Sequence, residues 1–113
     1  MKRTRCVFAA ILTFFSTVTL GGSVASPGTL SMIIVWSGGQ FIVTTSGART
    51  SIPTCAANQP ARFALDSTTA AGKTQAAVLI TAYSTGKQVT IVGTGACDVV
   101  ADTETVGYFY TDD

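Results

Sequence analysis

The chain has 113 residues, of which 47% are apolar and 12% charged, with 7 Lys and Arg against 6 Asp and Glu and no histidine. Lacking histidine, it can build neither a Ser-His-Asp nor a Cys-His nucleophile, nor a His-ligated metal centre. No cluster of Lys and Arg follows the amino terminus, which argues against nucleic acid, whose binding rests largely on basic side chains neutralising phosphates.

In chain order the first element reads as a leader. Lys2, Arg3 and Arg5 precede an uncharged apolar run from Val7 to about Leu20, and Ser23-Val24-Ala25 supplies a small-residue cleavage pattern. The run is shorter than the roughly 18 to 20 residues a membrane span needs. The expectation is export to the periplasm or medium, cleavage after Ala25 and no membrane span. Residues 1–25 are then the signal peptide, taking Cys6 with them, and residues 26–113 form one domain. Beyond Ala25, Arg49, Arg62, Lys73 and Lys87 face Asp66, Asp98, Asp102, Glu104, Asp112 and Asp113, a formal charge of −2. A domain of about 88 residues buries only around 60 to 65% of its unfolded surface and gains from stapling. Cys55 and Cys97, the two cysteines left in an exported chain, are expected to form a disulfide.

The run Leu30 to Trp36, a Ser-Gly-Gly turn and the run Gln40 to Ser46 read as a β-hairpin. Gly47 to Pro60 is rich in turn formers and reads as a loop holding Cys55. Ala61, Phe63 and Leu65 alternate on one face of a third strand. Ser67, Thr68 and Thr69 are each competent N-caps, and Gly72, Ala76, Leu79, Ile80 and Tyr83 then recur on one face of a helix. Gly86 and Lys87 suit its C-terminal end. Gln88 to Gly93 and Glu104 to Tyr110 are the last two strands. The order β-β-β-α-β-β, mainly β with one helix, is that of an OB-fold, a five-stranded Greek-key barrel. A two-layer α+β sandwich would show similar elements.

Two stretches invite a catalytic reading. Ser67 to Thr74, STTAAGKT, ends like a phosphate-binding loop, but Ser67 stands where that motif needs glycine, so no nucleotide cofactor is expected. Asp98, Asp102 and Glu104 offer carboxylates that could in principle cleave a glycosidic bond or hold calcium. Their spacing does not match an EF-hand, and the expectation is a solvated acidic loop in a protein that is not an enzyme and has no cofactor or metal.

Cys55, Phe63-Ala64-Leu65, Ala71-Gly72-Lys73, Leu79 to Tyr83, Thr85 to Val89 and Cys97 together resemble small secreted bacterial proteins similar to the subtilase cytotoxin B subunit and the pertussis-like toxin binding subunits. The resemblance spans Gly28 to Tyr110. It implies an OB-fold subunit of a five-membered ring that binds sialylated cell-surface glycans, with a separate catalytic toxin subunit as a partner. Gly28 and Ser31 match the glycine and sugar-contacting serine of those subunits. The chain departs from them at Pro27, Val92 and Gly93. The glycan-site residue carried over on this basis is Ser31; Trp36 joins it as an apolar platform because exposed aromatic rings stack on sugars.

Opposite the core-facing side of the helix lie Thr74, Ala77, Val78, Thr81 and Thr85, a stripe without one charge. Solvated helix faces normally carry charges, so this stripe is the expected homo-oligomer interface. The functional expectation is an exported, non-catalytic binding module for glycans. The alternative is a structural or interaction protein of the cell envelope, with a small hydrolase using the acidic loop as a distant third.

Overall fold

The computed structural model describes residues 22–112. The expected leader lies outside them apart from its last four residues. The elements are β1 (Val24–Gly28), β2 (Leu30–Val35), β3 (Gln40–Thr45), β4 (Arg49–Thr50), a 3-10 turn (Thr54–Ala56), β5 (Arg62–Asp66), α1 (Ala70–Thr85), β6 (Gln88–Gly93) and β7 (Glu104–Asp112). They make one mixed sheet in the order β2-β3-β5-β7-β6-β1-β4. The hairpin, the third strand, the helix and the last two strands lie where the sequence pattern puts them. The expected five strands become seven, because β1 and the two-residue β4 join the sheet. The sheet therefore starts before Ser26, the expected first residue of the domain.

Thr29 alone separates β1 from β2, yet β2 pairs with β3 while β1 pairs with β6 and β4. One nearly continuous run thus borders both sides of the sheet order, and the sheet curls to follow it. The partner run bends too. Ser46 donates its main-chain N–H to Thr29 O (3.0 Å) and Ser26 to Ala48 O (2.9 Å), so pairing continues through the corner. The corner is built on glycine: a Cβ on Gly28 would lie 2.2 Å from Gly47 N, and one on Gly47 would lie 1.9 Å from Ser26 O. Only side-chain-free residues let the two backbones cross so closely.

The curl encloses a core of Ala25, Leu30, Phe41, Val43, Phe63, Leu65, Val89, Ile91 and Val106, which α1 closes with Ala76, Leu79 and Ala82. A second, smaller cluster of Ile42, Ala64 and Val100 lies on the other face of β3 and β5. Strand alternation makes this division, since Phe41 and Val43 point one way and Ile42 the other. The loop carrying Val100 is tied down by the Cys55–Cys97 disulfide, with Cα atoms 6.2 Å apart.

Thr69 is the N-cap of α1, accepting the Gly72 main-chain N–H at 2.9 Å. The preceding turn is fixed by Asp66, whose Oδ1 accepts the Thr68 main-chain N–H (2.9 Å) and hydroxyl (2.6 Å). Those bonds hold the Asp66 carboxyl below its ordinary range. Gly72 sits against β5, where a Cβ would come 1.8 Å from Asp66 O. The glycine and lysine of the apparent phosphate loop are therefore helix-seating and surface residues. Gly86 caps the far end in the left-handed conformation, φ 69°.

One side of α1 differs from expectation. Gly72, Ala76, Leu79 and Ala82 are buried, whereas Ile80 and Tyr83 are 46% and 44% exposed. Small residues bring the helix close to the sheet, so the buried stripe is narrow and its flanking large residues stay outside.

Two predictions follow from these ties. Replacing both Cys55 and Cys97 with Ser should lower the unfolding free energy by up to about 4 kcal/mol in urea titrations, the chain-entropy value for a loop of this length. Asp66→Asn removes a carboxylate whose folded pKa is depressed. Its stabilising effect is present above the unfolded value of about 3.9 and lost as pH falls through the lower folded value. Wild type and variant should therefore differ near neutral pH and converge in acid, read from thermal melts across that range.

Candidate functional site

Ser31 and Trp36, the expected sugar contacts, are both exposed. Ser31 is the extra residue where the β2–β3 register slips between Leu30 and Met32. Trp36 stands at the hairpin turn, its main-chain N–H bonded to Gln40 O at 2.9 Å. Four strand residues lie between them, five steps that span roughly 17 Å. The structure does not bring them together.

A better-formed site lies between α1 and β7. Glu104 and Val106 alternate inward along β7, and Tyr108 would follow them into the core. It does not, because the β6–β7 register shifts between Val92 and Gly93, so that Gly93 pairs with Val106 and Val92 with Tyr108. Gly107 is left as the bulge residue, and a bulge re-aims the side chains beyond it. Phe109 packs inward against the core. Tyr108 and Tyr110 turn outward and are 59% and 53% exposed.

These rings border a groove of about 420 Å³ lined also by Thr74, Gln75 and Val78 of α1 and by Phe109 and Thr111 of β7. Gln75 Nε2 reaches Gly107 O at 3.5 Å, at the limit of a hydrogen bond, and links the two walls. The lining carries apolar ring faces, hydroxyls and one amide, and no charged side chain. Such a surface can stack flat apolar faces and exchange hydrogen bonds with a neutral polyol. The sequence signal for it was the glycine in Glu-Thr-Val-Gly-Tyr-Phe-Tyr, an isolated glycine inside a strand pattern.

The stripe expected as an interface is exposed along its whole length at Thr74, Ala77, Val78, Thr81 and Thr85. The hydroxyls of Thr74, Thr81 and Thr85 donate back to the carbonyls of Ala70, Ala77 and Thr81 at 3.3, 3.0 and 2.8 Å. Turned onto their own helix, they leave methyl groups facing out.

The acidic loop is not one solvated cluster. Asp98 accepts the Thr105 hydroxyl and Asp102 that of Thr103 at 3.0 Å, both near the surface. Glu104 is fully buried. Its Oε1 accepts from Arg49 Nη2 and Ser23 Oγ, each at 2.5 Å, and its Oε2 from the main-chain N–H of Ser23 (3.1 Å) and Gly95 (2.8 Å). Arg49 also donates through Nε to Ser23 Oγ (3.1 Å) and through Nη1 to Pro60 O and Arg62 O, and stacks 4.1 Å above the Phe63 ring centroid. Burial pushes its guanidinium below the ordinary value, opposed by the charge and hydrogen bond of Glu104. Every polar atom of this cluster is satisfied within the protein, which is the chemistry of a structural tie. Among the described residues no group of three or more Cys, Asp and Glu is placed to hold a metal ion.

Glu104→Ala should cost about 3 to 5 kcal/mol of unfolding free energy, because it strands a buried guanidinium. Asp102→Ala takes the acceptor from the buried Thr103 hydroxyl and should cost less, about 1 to 3 kcal/mol, in the same denaturant titration. Compared with protein families, curated proteins and solved structures, the chain finds no match.

Proposed function

We propose that the protein is an exported, non-catalytic binding module with an OB-fold-like barrel, and that the groove between α1 and β7 takes a neutral saccharide. The barrel reading is supported by the sheet order. Taking β1 and β2 as one bent strand, the order runs first, second, third, fifth, fourth and back to the first, with the third and fifth strands parallel and the helix between the third and fourth. Export is supported by the basic and apolar amino terminus, the disulfide, and the absence among the described residues of a helix long and apolar enough to cross a membrane.

The observation that carries the ligand class is the pair of outward tyrosines beside an uncharged, hydroxyl- and amide-bearing wall. A sialylated ligand would call for a cation in the lining, and none is there. The oxidised protein on a glycan array should select neutral oligosaccharides. Tyr108→Ala and Tyr110→Ala should each weaken binding about tenfold, ~1.4 kcal/mol, with unchanged melting temperature because both rings are exposed. An array without a hit above background would reject the ligand class. Losses confined to Ser31→Ala or Trp36→Ala would move the site to β2.

Self-association is the second reading, favoured by two apolar surfaces. One is the outer side of α1, where Val78, Ile80 and Tyr83 are exposed without a charge from Thr74 to Thr85. The other is β2, which among the described strands pairs with β3 alone and exposes Met32 and Val35. An edge strand without Lys, Glu or Pro is a template for pairing with another chain. Light scattering on the oxidised protein should find an oligomer that Val78→Glu or Val35→Lys dissociates. A monomer mass across micromolar concentrations would reject self-association and put ahead the alternative, a structural or interaction protein of the cell envelope without carbohydrate binding.

A further inference from the structure

Ser23, Val24 and Ala25 supply the small-residue pattern that places signal cleavage after Ala25, yet the fold uses all three. Ser23 is fully buried; besides its two bonds to Glu104 it accepts from Arg49, and its carbonyl accepts the Gly93 main-chain N–H at 2.9 Å. Val24 pairs with Val92 and Thr50, and Ala25, fully buried in the main core, pairs with Ile91 and Arg49. A cut after Ala25 would take two of the four donors from Glu104, withdraw the serine that Arg49 grips twice, and open the β1 end of the sheet. A buried carboxylate stripped of donors carries the full desolvation penalty of what it lost.

We infer that Ser23–Ala25 belongs to the mature domain, that the leader is cut at the Gly22–Ser23 bond, and that Glu104 receives the new chain end. This rests on the reading of the chain as exported. Gly22 supplies the small residue before that bond, directly after the apolar run, although Leu20 stands two places further back, where the cleavage pattern has its second small residue. In the hydrolysis, water adds across the amide C–N bond; the carboxylate leaves on Gly22 of the leader, and the freed amine of Ser23 takes up a proton. That ammonium forms on the atom 3.1 Å from Glu104 Oε2. A neutral donor becomes a charged one, and such bonds are shorter and stronger. Glu104 then lies between two cations, Arg49 and the chain end.

The test is to secrete the full chain from a bacterial host and measure intact mass and amino-terminal sequence. The expected first residue is Ser23. A chain beginning at Ser26, or at any residue between Met1 and Ser23, overturns this inference and leaves export standing; recovery only of chain retaining Met1 overturns both. Periodate supplies a second readout, because it oxidises the free amino alcohol of an amino-terminal serine. The native protein should react at least about tenfold more slowly than the urea-unfolded protein, since oxidation needs local opening of a buried end. Equal rates would overturn the docking of that end on Glu104.

Discussion

The fold depends on a carboxylate and a guanidinium buried together. In a chain with so few charges, Glu104 and Arg49 are taken out of water, where an unpaired ion would be prohibitive. They are tolerated because every lone pair and proton finds a partner drawn from a different part of the chain: Ser23 before β1, Pro60 and Arg62 around β5, and Gly95 in the β6–β7 loop. Geometry of this kind specifies register as much as it stabilises. β4 is too short to hold itself in place by ladder bonds. Arg49 fixes it by reaching across to β7, while stacking on the Phe63 ring of β5 closes the gap between the pair and the apolar core.

What the tie organises inside, the β7 bulge expresses outside. Glu104 must point inward for the pair to form, and strict alternation would then send Tyr108 inward and leave Phe109 on the surface. The extra residue at Gly107 reverses the phase. Phe109 fills the core, while two tyrosines, whose hydroxyls would be difficult to satisfy inside, face solvent beside α1. The groove is thus a consequence of a buried carboxylate at one end of a strand and a bulge in its middle. It needs no loop of its own.

Much of this was legible in the sequence, and the misses have identifiable causes. The hairpin, the helix with its glycine cap and the cysteine pair follow from period, turn chemistry and compartment. β1 was hidden because Ser-Val-Ala serves two readings, a cleavage pattern and the start of a strand. β4 was hidden because two residues have no period. Glu104 looked solvated because it closes a run of acidic residues, and nothing local distinguishes a carboxylate that meets Arg49 from one that meets water; only tertiary contact decides. Helical spacing places Ile80 and Tyr83 with the core, yet Gly72, Ala76 and Ala82 draw α1 too near the sheet to admit them.

The two proposed uses of the surface constrain each other. Thr74 and Val78 line the groove and also belong to the uncharged stripe of α1, so a neighbouring subunit packed along the first half of that helix would cover the tyrosines. A multivalent binder needs its sites open in the assembled state, since avidity arises only when several sites engage at once. Contact between copies that is compatible with binding must therefore use surfaces clear of Tyr108 and Tyr110: the β2 edge around Met32 and Val35, or the later turns of α1 around Thr81 and Thr85. If Val78→Glu were to abolish both assembly and saccharide binding, the charge would have reached the groove itself. If Val35→Lys broke the assembly while single-site affinity persisted, the β2 edge would be the seam and the groove an independent site repeated around it.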